Sequence, residues 1–190
     1  MSSTANLPRL RFRTRAAWRR WLQANHSKRT GVWLMYYRKG TATRSVSYIE
    51  AVEEALCFGW IDSIVKSVDS ESYVQLFTPR KPKSSWSSTN KARVQRLIAA
   101  GLMTPAGLEK IELAKNNGSW ESLDSVEALE VPDDFRRALN RNRKALANFE
   151  AFSPSKRKAL LYRISGAKRA ETRARRIQLA VELAAQNRIQ

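Results

Sequence analysis

Two acids and a run of cations and hydroxyls stand close together near the middle of this chain. Glu54 and Asp62 come first, and Arg80, Lys83, Trp86, Ser87, Asn90 and Arg93 follow. Cations and hydroxyls at the entrance of a helix suit an anion, because the first N–H groups of a helix are unpaired and its dipole favours negative charge. The two carboxylates would orient those cations, or act as acid and base. Asn90 and Arg93 are three residues apart and share a helical face, and Trp86 would form a wall. These eight residues are the candidate ligand-binding site, with no catalytic role assigned to any. A purely structural reading competes with it: the serines cap a helix, Trp86 fills the core, and an Arg–carboxylate lock replaces the site. No Gly-rich phosphate cradle accompanies these residues.

The elements that must position them can be read from pattern. Ser47 and Glu50 form a capping box for a helix from Tyr48 to Phe58. Ala51, Val52, Ala55 and Leu56 fall on one side of it. Glu50, Glu53, Glu54 and Cys57 fall on the other, as a solvated acidic face or as the wall of a cleft that meets cations. Gly59 stops the helix. Trp60–Lys66 and Ser72–Thr78 read as a hairpin turned at Asp69–Glu71. Asp62, an acid in an apolar strand, needs a partner; an Arg is the structural choice and catalysis the other. A loop stiffened by Pro79 and Pro82 leads to a helix from Lys91 to Ala100, capped by Ser88 or Thr89.

Before this stretch, Thr14 caps a helix to Asn25, and Gly31–Arg38 is an apolar run of strand length. After it, Thr104-Pro105 opens a helix to Asn116, Pro132 opens one carrying Phe135 and Leu139, and Ser153-Pro154 starts another. The last helix, Ala167 to Gln186, carries Lys168, Arg169, Arg173, Arg175 and Arg176. The expected fold is therefore α+β: a small antiparallel or mixed sheet covered by helices in residues 1–120, then an all-helical basic segment in 121–190.

The chain has 190 residues, 35 Lys and Arg against 17 Asp and Glu, and a net charge of +18. The charge comes in blocks: residues 1–49 hold no acid, whereas 50–78 and 101–134 are net acidic. Such alternation suits pairing between segments, with a basic excess left at both ends. One Cys and one His exclude a disulfide framework and a Cys-based zinc site, so no metal or cofactor is expected. Cys57 among carboxylates is a poor nucleophile, since nearby negative charge raises a thiol's pKa. The first residues, MSSTANLPRLRFRTR, contain no apolar stretch of a secretory signal, and no run is long enough to span a membrane. The expectation is a cytoplasmic protein.

The runs ALCFGWIDS (Ala55–Ser63), FTPRKPKSSWSSTN (Phe77–Asn90), GLMTPAGLEKIELAKNNGSW (Gly101–Trp120) and FSPSKRKALLYRISGAKRAETRARRI (Phe152–Ile177) resemble the YdeI/OmpD-associated, or bacteriocin-protection, family over nearly the whole chain. The resemblance implies a role in tolerance of bacteriocins or cationic antimicrobial peptides, and for some members association with a porin. It carries over no catalytic residues. Three functions stand side by side at this point. The first is binding of an anionic small molecule or protein partner in the cleft. The second is nucleic-acid binding, non-specific and through the basic last helix. The third is an enzyme of unassigned reaction. Direct capture of cationic peptides is disfavoured by repulsion from the net charge.

Overall fold

The computed structural model describes residues 4–167 and 169–190; Met1–Ser3 and Lys168, one of the cations of the last helix, lie outside the described residues. The chain divides into two compact units. The first runs through Ser85 and from Thr89 to Trp120, and the second comprises Trp86–Ser88 and Glu121–Gln190.

The first unit holds a four-stranded mixed sheet of order β1-β2-β4-β3. Strands β1 (Arg9–Leu10) and β2 (Val32–Tyr37) are parallel and are joined through α1 (Arg15–Asn25). Helix α2 (Tyr48–Cys57) leads into the antiparallel hairpin β3 (Trp60–Ser67) and β4 (Ser72–Pro79), and β4 pairs antiparallel with β2. The α+β expectation and its mixed sheet hold. So do the local signals: Thr14 caps α1, and Ser47 and Glu50 form both halves of the capping box. Gly59 leaves α2 with φ of 71°, a left-handed conformation that a Cβ penalises. In the hairpin turn Asp69 Oδ1 accepts from the N–H groups of Glu71 and Ser72 at 2.9 and 2.7 Å.

Residues opposite one another in a sheet share a face. Val32, Leu34 and Tyr36 therefore lie on the face of Phe77, Gln75 and Tyr73, and Asp62 lies opposite Phe77. Aromatics from α1 cover this face. Trp18 stacks on Trp21 and meets Phe77 edge-on at 5.6 Å, and Trp21 meets Trp60 edge-on at 5.9 Å. The Trp18 indole N–H donates to the Ala51 carbonyl at 3.0 Å, so the polar tip of a buried ring is satisfied where α1 crosses α2. The other face carries Trp33, Val74 and Leu76, packed with Leu7 and Met35.

Helices α3 (Ser88–Ala99) and α4 (Pro105–Asn116) follow. Helix α3 starts three residues before the expected Lys91, so Ser88 and Thr89 form its first turn rather than its cap. Thr104 caps α4 and also ties it to α2: its N–H and its hydroxyl both donate to the Cys57 carbonyl, at 3.1 and 2.6 Å.

The second unit is helical, with α5 (Asp124–Glu127), α6 (Asp133–Asn140), α7 (Arg143–Ala151), α8 (Pro154–Ser165) and α9 (Ala170–Ala185). The last helix is shorter at its start than the sequence suggests. The unit's core gathers Phe135, Leu139, Phe149, Leu160, Ile164 and Val181. Asp134 and Arg173 pin α6 to α9 through two hydrogen bonds of 2.5 and 2.9 Å.

Gly107 gives a direct test of how α4 seats on α2. A Cβ there would stand 2.3 Å from the Cys57 carbonyl oxygen. Gly107→Ala should lower stability to chemical denaturation by roughly 1–3 kcal/mol; an unchanged midpoint would mean that α4 does not sit against this carbonyl.

Candidate functional site

Glu54 is 2% exposed. The acidic face of α2 is thus not a solvated one at this position. Arg15 Nε donates to Glu54 Oε1 at 2.5 Å and Arg19 Nη1 to Oε2 at 2.6 Å. The two arginines are four apart on α1, so one helical face brings both to one carboxylate. Burial works against their charges, but Glu54 more than offsets it and holds both guanidinium pKa values above the ordinary one. Arg15 also donates to Glu53 at 3.0 Å, and Arg96 of α3 approaches Glu53 at 3.6 Å. Arg19 reaches the Leu102 carbonyl at 2.9 Å and lies over the Phe58 ring. The cations that meet Glu54 therefore come from α1 and not from the basic loop after β4.

Cys57 is fully buried beside this cluster. Burial, and then the Glu54 charge, push its thiol up to about 11. A thiol in that state is not a nucleophile at neutral pH.

Asp62 lies at the start of β3, half-buried, and neutral donors hold it. The Tyr48 hydroxyl donates to its Oδ2 at 3.1 Å, and Gln75 Nε2 donates to the same oxygen at 2.7 Å. Burial and then the Asp62 charge raise the Tyr48 phenol pKa, while the nearby Arg93 works the other way. Asn90 Oδ1 accepts from Arg93 Nη1 at 2.8 Å. Asp62, Arg93 and Asn90 are thus brought into one polar cluster through Tyr48, and Gln75 joins it. Neither Tyr48 nor Gln75 stood out in the sequence. The signal available was the strand register: Gln75 is the amide on the face that also carries Asp62, among Val32, Leu34, Tyr36, Tyr73 and Phe77.

Arg80 is 4% exposed. Burial depresses its guanidinium pKa to about 10, and the Asp62 charge acts against that shift. Its Nη2 donates to the Ser85 carbonyl at 2.6 Å and to the Ser84 carbonyl at 3.5 Å, and its backbone N–H donates to the Gly59 carbonyl at 2.8 Å. Arg80 therefore folds the basic loop around itself. The Pro82 carbonyl accepts from Asn117 at 2.7 Å, which anchors the loop tip to the end of α4. Lys81 and Lys83 project from this fixed loop into solvent. Trp86 is buried, Ser87 is half-buried, and both belong to the second unit.

Beneath the Asp62 cluster, the Tyr36 hydroxyl is buried with no hydrogen-bond partner among the described residues. Its ring stacks on Tyr73 at 5.0 Å. Burial, reinforced by Tyr73, Asp62 and Tyr48, drives its phenol pKa upward, so it stays a neutral hydroxyl.

The grooves of the first unit lie elsewhere. One of about 730 Å³ runs over the outer sheet face and is lined by Leu7, Ile61, Leu76, Thr78, Lys81 and Ser84, among others, but by none of the eight candidate residues. Another, of about 360 Å³, sits at His26, Phe58 and Gly59. His26 itself closes the C-terminal end of α1, with Nδ1 3.0 Å from the Leu22 carbonyl oxygen. Among the described residues no group of three His, Cys, Asp or Glu side chains could hold a metal ion, and no helix is long and apolar enough to cross a membrane.

An α+β unit with an internally neutralised polar interior, followed by a helical unit, defines the class of protein. Residues 10–110 match the family described as a domain of unknown function, DUF8412, over more than half of the chain, and the chain belongs to that family. Residues 128–187 match the family described as Bacteriocin-protection, YdeI or OmpD-Associated. The tail motif at 152–177 falls inside this second match, whereas the runs at 55–63 and 77–90 fall inside the first. No curated protein and no solved structure matches the chain.

The unpartnered hydroxyl makes a prediction. An unsatisfied buried donor carries a desolvation cost of about 1–3 kcal/mol. Tyr36→Phe should accordingly be neutral or should raise the unfolding free energy by about 1 kcal/mol in urea denaturation. A loss of similar size would show that Oη is hydrogen-bonded in the folded protein.

Proposed function

We propose that the protein binds an anionic ligand or partner through the loop after β4 and the first turns of α3, and that it acts in this way, in the cytoplasm, in tolerance of bacteriocins or cationic antimicrobial peptides. One observation carries the reading: the loop from Arg80 to Ser85 is fixed by internal hydrogen bonds yet holds Lys81 and Lys83 out into solvent. No carboxylate lies within ion-pair distance of either lysine among the described residues.

The disposition of the acids supports it. Glu53 and Glu54 are engaged by Arg15, Arg19 and Arg96, Asp62 by Tyr48 and Gln75, Glu127 by Lys158, and Asp134 by Arg173. These five acids are held by partners within the protein, and the chain as a whole carries an excess of +18, which attracts anions and steers them in. Fixed cations bind better than mobile ones, because less side-chain and loop freedom is lost on binding. Arg80 and Glu54 act in this reading as positioning residues, and Lys83, Asn90 and Arg93 as contact residues. The tolerance role rests on the description of the family matched by residues 128–187. The cytoplasmic placement rests on a lone cysteine kept as a buried free thiol.

Calorimetric titration with inorganic pyrophosphate at low salt tests the binding. The Lys83→Ala/Arg93→Ala double variant should bind about tenfold or more weakly, as expected for two lost charge-assisted contacts, while its melting temperature stays within a few degrees of wild type. Equal affinity in the two proteins would refute the site.

A further inference from the structure

The second unit carries a cavity that the reading above does not use. It opens where α8 turns into α9, encloses about 540 Å³, and is lined by Tyr162, Arg163, Gly166, Arg175, Arg176 and Leu179. Three of the six are arginines and none is an acid. The nearest carboxylate contact along α9, Asp134 with Arg173, is already closed. No carboxylate lies within ion-pair distance of Arg163, Arg175 or Arg176 among the described residues.

Two of these arginines are held in place. Arg176 Nη1 donates to the Arg163 carbonyl at 2.8 Å, and Arg163 Nη2 donates to the Ile189 carbonyl at 3.3 Å. Gly166 leaves room for this arrangement, since a Cβ there would stand 3.3 Å from Arg176 Nη1. Arg175 is exposed and makes no polar contact among the described residues. The same opening displays two large apolar side chains, Tyr162 at 58% and Leu179 at 39% exposure.

Two guanidinium groups held in place, with a third at the same opening, suit the oxygens of a phosphate, which they can engage by paired N–H donors. A tyrosine ring standing free beside them offers a face for stacking a flat group. The volume lies within the range of small-molecule sites, about 300–1,000 Å³. We propose that this cavity is a binding site for a phosphate monoester whose body carries a flat aromatic group, of the size of a nucleoside monophosphate. Arg163, Arg175 and Arg176 receive the phosphate, and Tyr162 and Leu179 receive the body. The site is independent of the one on the first unit.

The test is calorimetric titration of the full chain with adenosine monophosphate, inorganic phosphate and adenosine. Wild type should bind the monophosphate more tightly than either fragment. Arg175→Ala, which breaks no internal contact, should weaken it about tenfold or more. Tyr162→Ala should weaken the monophosphate and leave inorganic phosphate unchanged. The proposal is overturned if wild type does not bind the monophosphate, or if Arg175→Ala binds it as tightly. Inorganic phosphate binding as well as the monophosphate would overturn it too. So would binding only to phosphatidylglycerol vesicles, lost with Arg175→Ala, which would make the cavity part of a membrane-facing surface.

Discussion

The first unit depends on one buried carboxylate. Glu54 lies inside the protein with a different arginine on each oxygen, and that requirement fixes where α1 must sit on α2. The consequences spread outward. Arg19, held by Glu54, reaches the Leu102 carbonyl in the turn between α3 and α4. Glu53, the next residue along, accepts from Arg15 and faces Arg96 of α3. The Cys57 carbonyl, one turn further on, anchors Thr104 at the start of α4. An ion cluster of this kind contributes little net stability against an apolar alternative, because desolvating the charges offsets most of their attraction. What it contributes is a unique arrangement: a slipped register of α1 would leave a buried charge unpaired.

The same economy of charge explains the surface. Pairing acids with cations inside the protein leaves the excess of basic residues untouched. The chain has about two basic residues for each acidic one, so the exposed excess is large and persistent. A fixed cationic loop on one unit and an arginine-lined cavity on the other are two local forms of that excess. They differ in what surrounds them. Prolines and backbone hydrogen bonds fix the loop, while the cavity adds aromatic and aliphatic surface to its guanidinium groups.

Much of the fold was legible in the sequence because it is written in short-range chemistry. The capping box at Ser47 and Glu50, the stop at Gly59, the Asp69 turn and the apolar run of β2 each depend on neighbours within a few residues, and each appears as expected. The start of α3 was misread because the serines before it suit a cap and a first turn equally well. The partners of the candidate residues were harder to read, since they come from far along the chain. Nothing in the periodicity of α2 tells that Glu54 meets Arg15 and Arg19, 39 and 35 residues away. Nor does a basic loop reveal which of its cations turns inward. Arg80 does so because the carbonyls of Ser84 and Ser85 curl back around it, whereas Lys81 and Lys83 have no such acceptors among the described residues. For Asp62 the sequence left an arginine partner or catalysis open; two neutral donors satisfy its Oδ2, with the Arg80 charge nearby.

The claim that the Glu54 cluster organises the first unit is tested most directly by a double-mutant cycle on α1 and α2. Arg19→Met, Glu54→Gln and the combined variant would be compared with wild type by urea denaturation. The account predicts that each single change destabilises strongly, by roughly 3–5 kcal/mol for a buried pair broken on one side. It also predicts that the double variant falls short of the sum by about 1–3 kcal/mol, within the range of contacting residues. Effects that add to within about 0.5 kcal/mol would contradict it, because the two residues would then not depend on one another in the folded protein.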